Sequence, residues 1–317
     1  MIVAHVSLTP LAGAVWAAAE AFREAGYDSF CIAPDATGDG RDVPTDYRAP
    51  PVGGAIARLH RADAVFCHDG WPYGEQWYPP TAPTVGWFHT PPESGARDRR
   101  LVESGWPWGV SGSGDTRRAP GRPPLPELVP LKHRFYQAGE KPAERVRIAY
   151  CPSDSTGGRS GQAACGCVLG ALDGLSADVE VIPGGPPASK LRRMAAAHVV
   201  IDGCDDGSYG RSSLEALALG CVAVNRCDGR RAWAIQRMTG GCGHPFEVAD
   251  LGRLREALRR LVGLGPEALA HMGRRNRRWM EAAWRPVGLI ERNLRPLMEA
   301  AAARQVAGVA PEHSPVS

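Results

Sequence analysis

The stretch from Val199 to Asn225, VVIDGCDDGSYGRSSLEALALGCVAVN, constrains what this chain can fold into more than any other. An apolar run ending at Asp202, a glycine-rich turn through Gly210, the helix-forming LEALALG and a second apolar run, CVAVN, spell strand, loop, helix and strand, a βαβ unit. Tyr209 and Gly210 stand where the loop meets the helix. The backbone N–H groups of Arg211, Ser212 and Ser213 are then expected to face an anion at the positive end of the helix dipole, where a phosphate fits. Glu215 is expected in the first helical turn, placed to accept hydrogen bonds from vicinal ribose hydroxyls, and Gly220 is expected to stop the helix. The alternative for the glycine-rich loop is a plain tight turn.

Composition sets the bounds. With 317 residues, 44% hydrophobic and 22% charged, the chain is globular and long enough for two domains. No apolar run approaches the roughly 18 residues that cross a bilayer, and MIVAHVSLTP has no cationic stretch ahead of its apolar one, so a cytoplasmic location is expected. The nine cysteines contain no CxxC pair, which argues against a disulfide framework or a zinc ribbon. Cys165, Cys167 and Cys242 read as reduced, partly buried thiols, with metal ligation by Cys165 with Cys167, or by Cys242 with His244, as the alternative, and no metal site is expected. Arginine greatly outnumbers lysine, and the arginine excess between Arg226 and Arg285 is either a set of solvated faces or a patch for a phosphate-rich partner.

Taken in order, the chain opens with a strand, Ile2 to Val6, and a loop from which Thr9 caps and Pro10 starts a helix running to Ala25. With AGYDSFCIAP behind it, this is the first βαβ of a Rossmann-like domain. Asp63 to Cys67 reads as a buried strand with His68 and Asp69 at its carboxyl end, and Val85 to Phe88 as another with His89 just beyond. Ligands bind at the carboxyl ends of parallel strands, so Asp69 and His89 are candidate bases for taking a proton. The alternative is that His68 and His89 are satisfied by backbone carbonyls. Between Pro91 and Pro130 only GWPWGVSGS suggests a strand, and the rest reads as loops. From VRIAYCPSDS onward, strand, helix Gln162 to Leu172, strand Val179 to Ile182 and helix Ser189 to Ala197 lead back to Val199, giving a second parallel sheet covered on both faces. Helices from Asp250 to Val262 and from Pro266 to Trp284 follow, with a further one from Val287 to Arg304.

Tyr209-Gly210, Glu215-Ala216 and Gly220, at this spacing, resemble the donor-site string of nucleotide-sugar glycosyltransferases of the GT-B fold, in particular glycosyltransferase family four and its group one relatives. Where that string carries a first glutamate this chain has Gly207, flanked by Asp206 and Ser208. The resemblance implies two Rossmann-like domains facing a cleft, residues 1–140 for the acceptor and 141–284 for the donor, with a helix at 285–305 crossing back to the first domain and a disordered tail at 306–317. It implies donor contacts at Gly13, Arg159, Tyr209, Gly210, Arg211, Ser212, Ser213 and Glu215, with Arg159 as the diphosphate cation, and catalysis at Asp69 and His89. No cofactor is implied; the co-substrate is a nucleotide-diphosphate sugar, such as a UDP-sugar. The expected acceptor is a glycan or lipid-linked glycan. Hydroxymethylated DNA is the alternative, suggested by the arginines from Arg97 to Arg122 and by Trp71, Trp77, Trp87, Trp106 and Trp108. A non-enzymatic nucleotide or polymer binder is the competing class, suggested by Gly207.

Overall fold

Two all-parallel sheets carry the chain. The computed structural model describes residues 1–7, 13–34, 45–49, 51–69, 82–89, 102–112, 119, 121–152, 159–183, 186–205 and 207–307, with side chains of the helix beginning at Arg159 described from residue 163 on. These fall into two units: the residues up to Pro130 together with the segment from Pro286, and Leu131–Arg285.

In the first unit the sheet order is β3-β2-β1-β4-β5-β6-β7, with β1 Ile2–Ser7, β2 Asp28–Ala33, β3 Tyr47–Arg48, β4 Ala64–His68, β5 Thr84–Phe88, β6 Trp108–Ser111 and β7 Pro124–Leu125. Every residue of β4 and β5 is buried, because strands of a parallel sheet are covered on both faces. His5 on β1 and His68 on β4 are buried with the apolar residues around them and need partners. The chain leaves β1 toward β2 and later fills the other side from β4, so the order reverses between β1 and β4, where ligands of open α/β sheets bind. Helix α1, Ala14–Glu24, begins later than the sequence predicts. Its N-cap is Gly13 at φ 83°, a left-handed conformation that glycine adopts without a Cβ clash, whereas Thr9 and Pro10 lie outside the described residues. The second helix, α2, is Gly54–Leu59.

The C-terminal segment, α8 Pro286–Leu289, a π-helical turn Ile290–Leu294 and α9 Arg295–Val306, belongs to this first unit. It buries Ile290, Leu294, Met298 and Ala301. Tyr27 donates to Glu291 at 3.0 Å, and Arg304 donates to the Ser104 carbonyl at 3.0 Å.

The second unit has the order β12-β11-β10-β8-β9, with β8 Arg147–Tyr150, β9 Asp178–Val181, β10 Val199–Ile201, β11 Val222–Asn225 and β12 Glu247–Val248. Its helices are α3 Arg159–Leu172, α4 Pro187–Ala195, α5 Arg211–Ala218, α6 Gly229–Thr239 and α7 Leu254–Ala283. The order reverses between β8 and β10, so Asp202 and the loop into α5 stand at a switch point of this sheet. The two helices expected on either side of Pro266 form one long α7 kinked at Gly265 (φ 80°, ψ 167°), after which Pro266 starts the second half as a helix-initiating proline. Helix α7 approaches the turn after α5 closely: a Cβ on Gly273 would lie 1.9 Å from the Gly220 carbonyl oxygen. Gly220 itself has φ 72° and ends α5, as the sequence predicts. The strap Leu131–Tyr136 is tied into this unit by Arg277 on α7, which donates to the carbonyls of Tyr136 at 2.6 Å and Leu131 at 3.1 Å. The division between units thus falls at Pro130, ten residues ahead of the place expected from the sequence.

Candidate functional site

In the second unit the loop from β10 to α5 is built around Asp202. Its carboxylate accepts from the Ser213 backbone N–H at 2.9 Å and the Ser213 hydroxyl at 2.8 Å, and Asn225 donates to that hydroxyl at 2.9 Å. Asp202 comes this close because residue 210 is glycine: a Cβ there would meet its carboxylate at 2.6 Å. This corrects the expectation for Ser213. Its N–H does not await an external anion, because a carboxylate of the protein already occupies that donor at the positive end of α5. Burial holds the Asp202 carboxyl above its ordinary range, against the pull of Ser213 and Lys190.

Tyr209 is also placed differently from expectation. It is fully buried, its ring stacked 5.5 Å from Phe246 and edge-on to Trp284 at 6.4 Å, so it packs the core under the loop. Gly207 at φ 79° lies beside Asp228, whose carboxylate would be 3.1 Å from a Cβ at 207. Asp228 caps α6 by accepting from the N–H groups of Arg230 and Arg231.

One turn into α5, Glu215 gathers the charge of the site; the first turn itself holds no acid, contrary to expectation. Lys190 on α4 donates to Oε2 at 3.1 Å, Arg211 donates to Oε1 at 2.9 Å, and the Tyr136 hydroxyl lies 3.5 Å from Oε1. Lys190 also donates to Ser212 Oγ at 2.8 Å, and Arg211 to the Tyr136 oxygen at 3.3 Å. The Glu215 side chain is 6% exposed, against 24% for Lys190 and 16% for Arg211. Burial disfavours the carboxylate, but Lys190 and Arg211 outweigh it and hold Glu215 below the usual range. Burial likewise works against charge on Lys190, and Glu215 foremost outweighs it, leaving its pKa raised. With Asp202 counted, the group sets two cations, Lys190 and Arg211, against two carboxylates at the N-terminal end of a helix, and the two cations are side chains of the type that bind phosphates.

The sequence reading missed Lys190 and Tyr136. Lysine is rare in this arginine-rich chain, and a lysine two turns before a buried strand was the available signal. Of the expected cation, Arg159, the backbone starts α3 and the side chain lies outside the described residues. Asp206 lies outside them as well.

In the first unit the polar residues at the strand ends form a line. His5 Nδ1 lies 3.1 Å from His68 Nε2, His68 Nδ1 lies 2.9 Å from His89 Nε2, and His89 Nδ1 lies 2.9 Å from Glu127 Oε1. Ser111 donates to the same Glu127 oxygen at 2.6 Å. The rings of His68 and His89 stack on each other at 5.2 Å and on Trp87 at 5.0 and 5.9 Å. Burial and the nearby Arg23 push His5 down to about 3, and burial with the neighbouring histidines holds His68 well below its ordinary value. The histidine partners are thus other side chains, not the backbone carbonyls of the alternative reading. Asp69, at φ 44°, accepts the His89 backbone N–H on Oδ1 at 2.7 Å. His89 commits both ring nitrogens, which leaves neither facing an acceptor in this arrangement. Glu127, Ser111 and His5 were not singled out from sequence as partners of His89, although a histidine inside a buried strand announces that one exists. Trp71, Trp77 and the arginines at 97–118 lie outside the described residues, and Trp87, Trp106 and Trp108 are buried.

No family model and no curated protein matches the sequence. Solved structures do. A glycosyltransferase from Rickettsia africae ESF-5 aligns with TM-score 0.52 at 11% identity over 94% of this chain and 98% of its own. A mutant O-GlcNAc transferase of Thermobaculum terrenum aligns with TM-score 0.53 at 16% identity over 97% of this chain and 69% of its own. AviGT4, a glycosyltransferase involved in avilamycin A biosynthesis, aligns with TM-score 0.50 at 17% identity over 97% and 98%. Two Rossmann-like units with a C-terminal helix returned to the first make the fold GT-B. Among the described residues no helix is long and apolar enough to cross a membrane.

Proposed function

We propose that the protein is a glycosyltransferase that moves a sugar from a nucleotide-diphosphate sugar to an acceptor hydroxyl. The observation that carries this reading is the pairing of Lys190 and Arg211 on Glu215 at the start of α5, two cations gathered beside a helix N-terminus at a switch point of the sheet. A donor diphosphate would take Lys190 and Arg211 as its cations and the Ser212 hydroxyl as a further donor. Glu215 orients both cations, and a ribose hydroxyl would add to the donors it already accepts. Gly13 and Arg159 remain proposed donor contacts, and Tyr209 and Gly210 act by shaping the loop.

In the transfer, the bond from the anomeric carbon to the diphosphate breaks and its electron pair leaves with the nucleotide. The acceptor oxygen bonds to that carbon and releases its proton. Asp69 is the proposed base, and the departing diphosphate is the alternative taker. A glycan or lipid-linked glycan is the proposed acceptor, as the resemblance of the Tyr209–Gly220 string to glycosyltransferase family four implies. No described feature favours DNA.

The test is a panel of nucleotide sugars, read by calorimetry and by donor hydrolysis without acceptor. Binding of a diphosphate sugar that weakens at least tenfold in Lys190→Met supports the assignment. Equal affinity of the variant for the diphosphate sugar would remove Lys190 from the site, and hydrolysis of no donor with retained binding would favour the non-enzymatic binder.

A further inference from the structure

Five neighbouring strands of the first sheet, β1, β4, β5, β6 and β7, each deliver one polar side chain, at or just beyond the strand, to a single line of hydrogen bonds. In sheet order these are His5, His68, His89, Ser111 and Glu127. A neutral imidazole has one donor and one acceptor nitrogen, so fixing the polarity of one contact fixes every other. An ionised carboxylate only accepts. With Glu127 ionised, the premise of this polarity, His89 donates from Nδ1 to Glu127, its Nε2 accepts from His68 Nδ1–H, and His68 Nε2 accepts from His5 Nδ1–H. The line ends at His5 Nε2, a lone pair with no hydrogen-bond partner among the described residues, against the rings of Phe22 at 4.8 Å and Phe66 at 5.1 Å.

The reverse polarity is costly at both ends. It requires an extra proton on Glu127, and it leaves His5 Nε2–H buried without an acceptor. Protonating His89 at Nε2 has the same requirement, since His68 and His5 would both have to change tautomer and a proton would have to reach the buried end. Among the described residues the charged groups around the line do not relieve this. Arg23 disfavours a cation at His5, His89 and His5 disfavour one at His68, and Asp69 is engaged with the His89 backbone N–H, not its ring.

We propose that Glu127 is a positioning residue for the transfer: it imposes one polarity on the three-histidine line, so that His89 is held neutral, as the Nδ1–H tautomer, with its ring orientation fixed. This rests on the glycosyltransferase reading above. His89 is then a rigid neutral surface and not the base, and the acceptor proton goes to Asp69 or to the diphosphate. Ser111 supports the arrangement by giving Glu127 a second donor on the same oxygen.

The experiment uses the whole chain labelled with 15N-histidine, with tautomers read by long-range proton–nitrogen correlation without substrate, and transfer kinetics on the same preparations. In the wild type between pH 6 and 8, His5, His68 and His89 are each expected neutral with the proton on Nδ1. Glu127→Gln, whose amide both donates and accepts, is expected to mix the two tautomers and to lower kcat about tenfold, the worth of one hydrogen bond, with the donor KM nearly unchanged. It should also bring a new ionisation near pH 6.5 into the rate profile, and Glu127→Asp is expected to restore tautomer and profile in part. An Nε2–H tautomer or an imidazolium at any of the three rings in the wild type at pH 7 overturns the polarity, and that measurement needs no variant to fold. Unchanged tautomers and rate profile in Glu127→Gln overturn the role of Glu127. Absence of transfer in the wild type overturns the transferase reading and the positioning role with it, and the tautomer order distinguishes that failure from a wrong polarity.

Discussion

Lys190 reaches Glu215 from a different helix, its ammonium 3.1 Å from the carboxylate, and so couples α4 to α5 through charge. Arg211 on the opposite oxygen keeps Glu215 paired if Lys190 is lost. Lys190→Met is therefore expected to cost about 1.5–3 kcal/mol, the range for a hydrogen bond to a charged group, and not the larger penalty of a stranded buried charge. Urea unfolding measures the cost, and a loss above that range would mean that Arg211 does not compensate.

Removing Glu215 is the opposite case. Glu215→Ala strands two largely buried cations and is expected to cost about 3–5 kcal/mol, so the variant is less stable as well as weaker in donor binding. The pH dependence has a definite sign. The folded carboxyl titrates below its unfolded value of about 4.3, so its contribution is complete above that pH and is lost as pH falls through the lowered folded value. In acid titrations Glu215→Gln should fall short of wild type by a constant margin above about pH 4.3 and the two should converge below it, and curves that stay parallel throughout would count against the pairing.

How far the sequence speaks is visible at these positions. The strand–loop–helix–strand of Val199–Asn225 was legible because periodicity, Gly210 and Gly220 all point to one local structure. The partners of Glu215 were not, because Lys190 and Tyr136 arrive from 25 and 79 residues away and only the folded sheet brings them together. Tyr209 was misread for a related reason: an aromatic at a loop–helix junction looks exposed in sequence, and only Phe246 and Trp284 reveal it as core. His89 was found from its place after a strand, while Glu127, two residues beyond the short strand β7, stood in a proline-rich stretch read as loop.

Gly273 offers a test of the packing beneath α5. A methyl group there would lie 1.9 Å from the Gly220 carbonyl oxygen, a backbone atom that cannot rotate away. Gly273→Ala is expected to destabilise by about 1–3 kcal/mol or more through displacement of α7. Gly263, on the same helix with open space around it, is the control: Gly263→Ala should stabilise by about 0.5–1 kcal/mol from helix propensity alone. Thermal melts of the pair should move in opposite directions, and equal shifts would deny the close approach.

The histidine line makes stability depend on pH in a way that the Glu215 cluster does not. His5 titrates at about 3 in the folded protein and His68 well below the ordinary value, whereas both take up protons near 6.5 once unfolded. The unfolded chain therefore binds more protons as pH falls below about 6.5, and each ring removes about 1.4 kcal/mol of stability per pH unit, for His5 until the pH reaches its folded value. His198 and His244 in the second unit are also lowered and act in the same direction, so the wild-type slope alone does not isolate the line. His5→Phe does, because phenylalanine suits the aromatic surroundings of Phe22 and Phe66 and removes one titrating ring. The variant is expected to be less stable than wild type at pH 7.5, where His68 loses its donor, and to lose stability less steeply between pH 6.5 and 5, by about one proton in the linkage slope. Urea midpoints across that range give the slope directly, and a variant as steep as wild type would show that His5 is not held neutral.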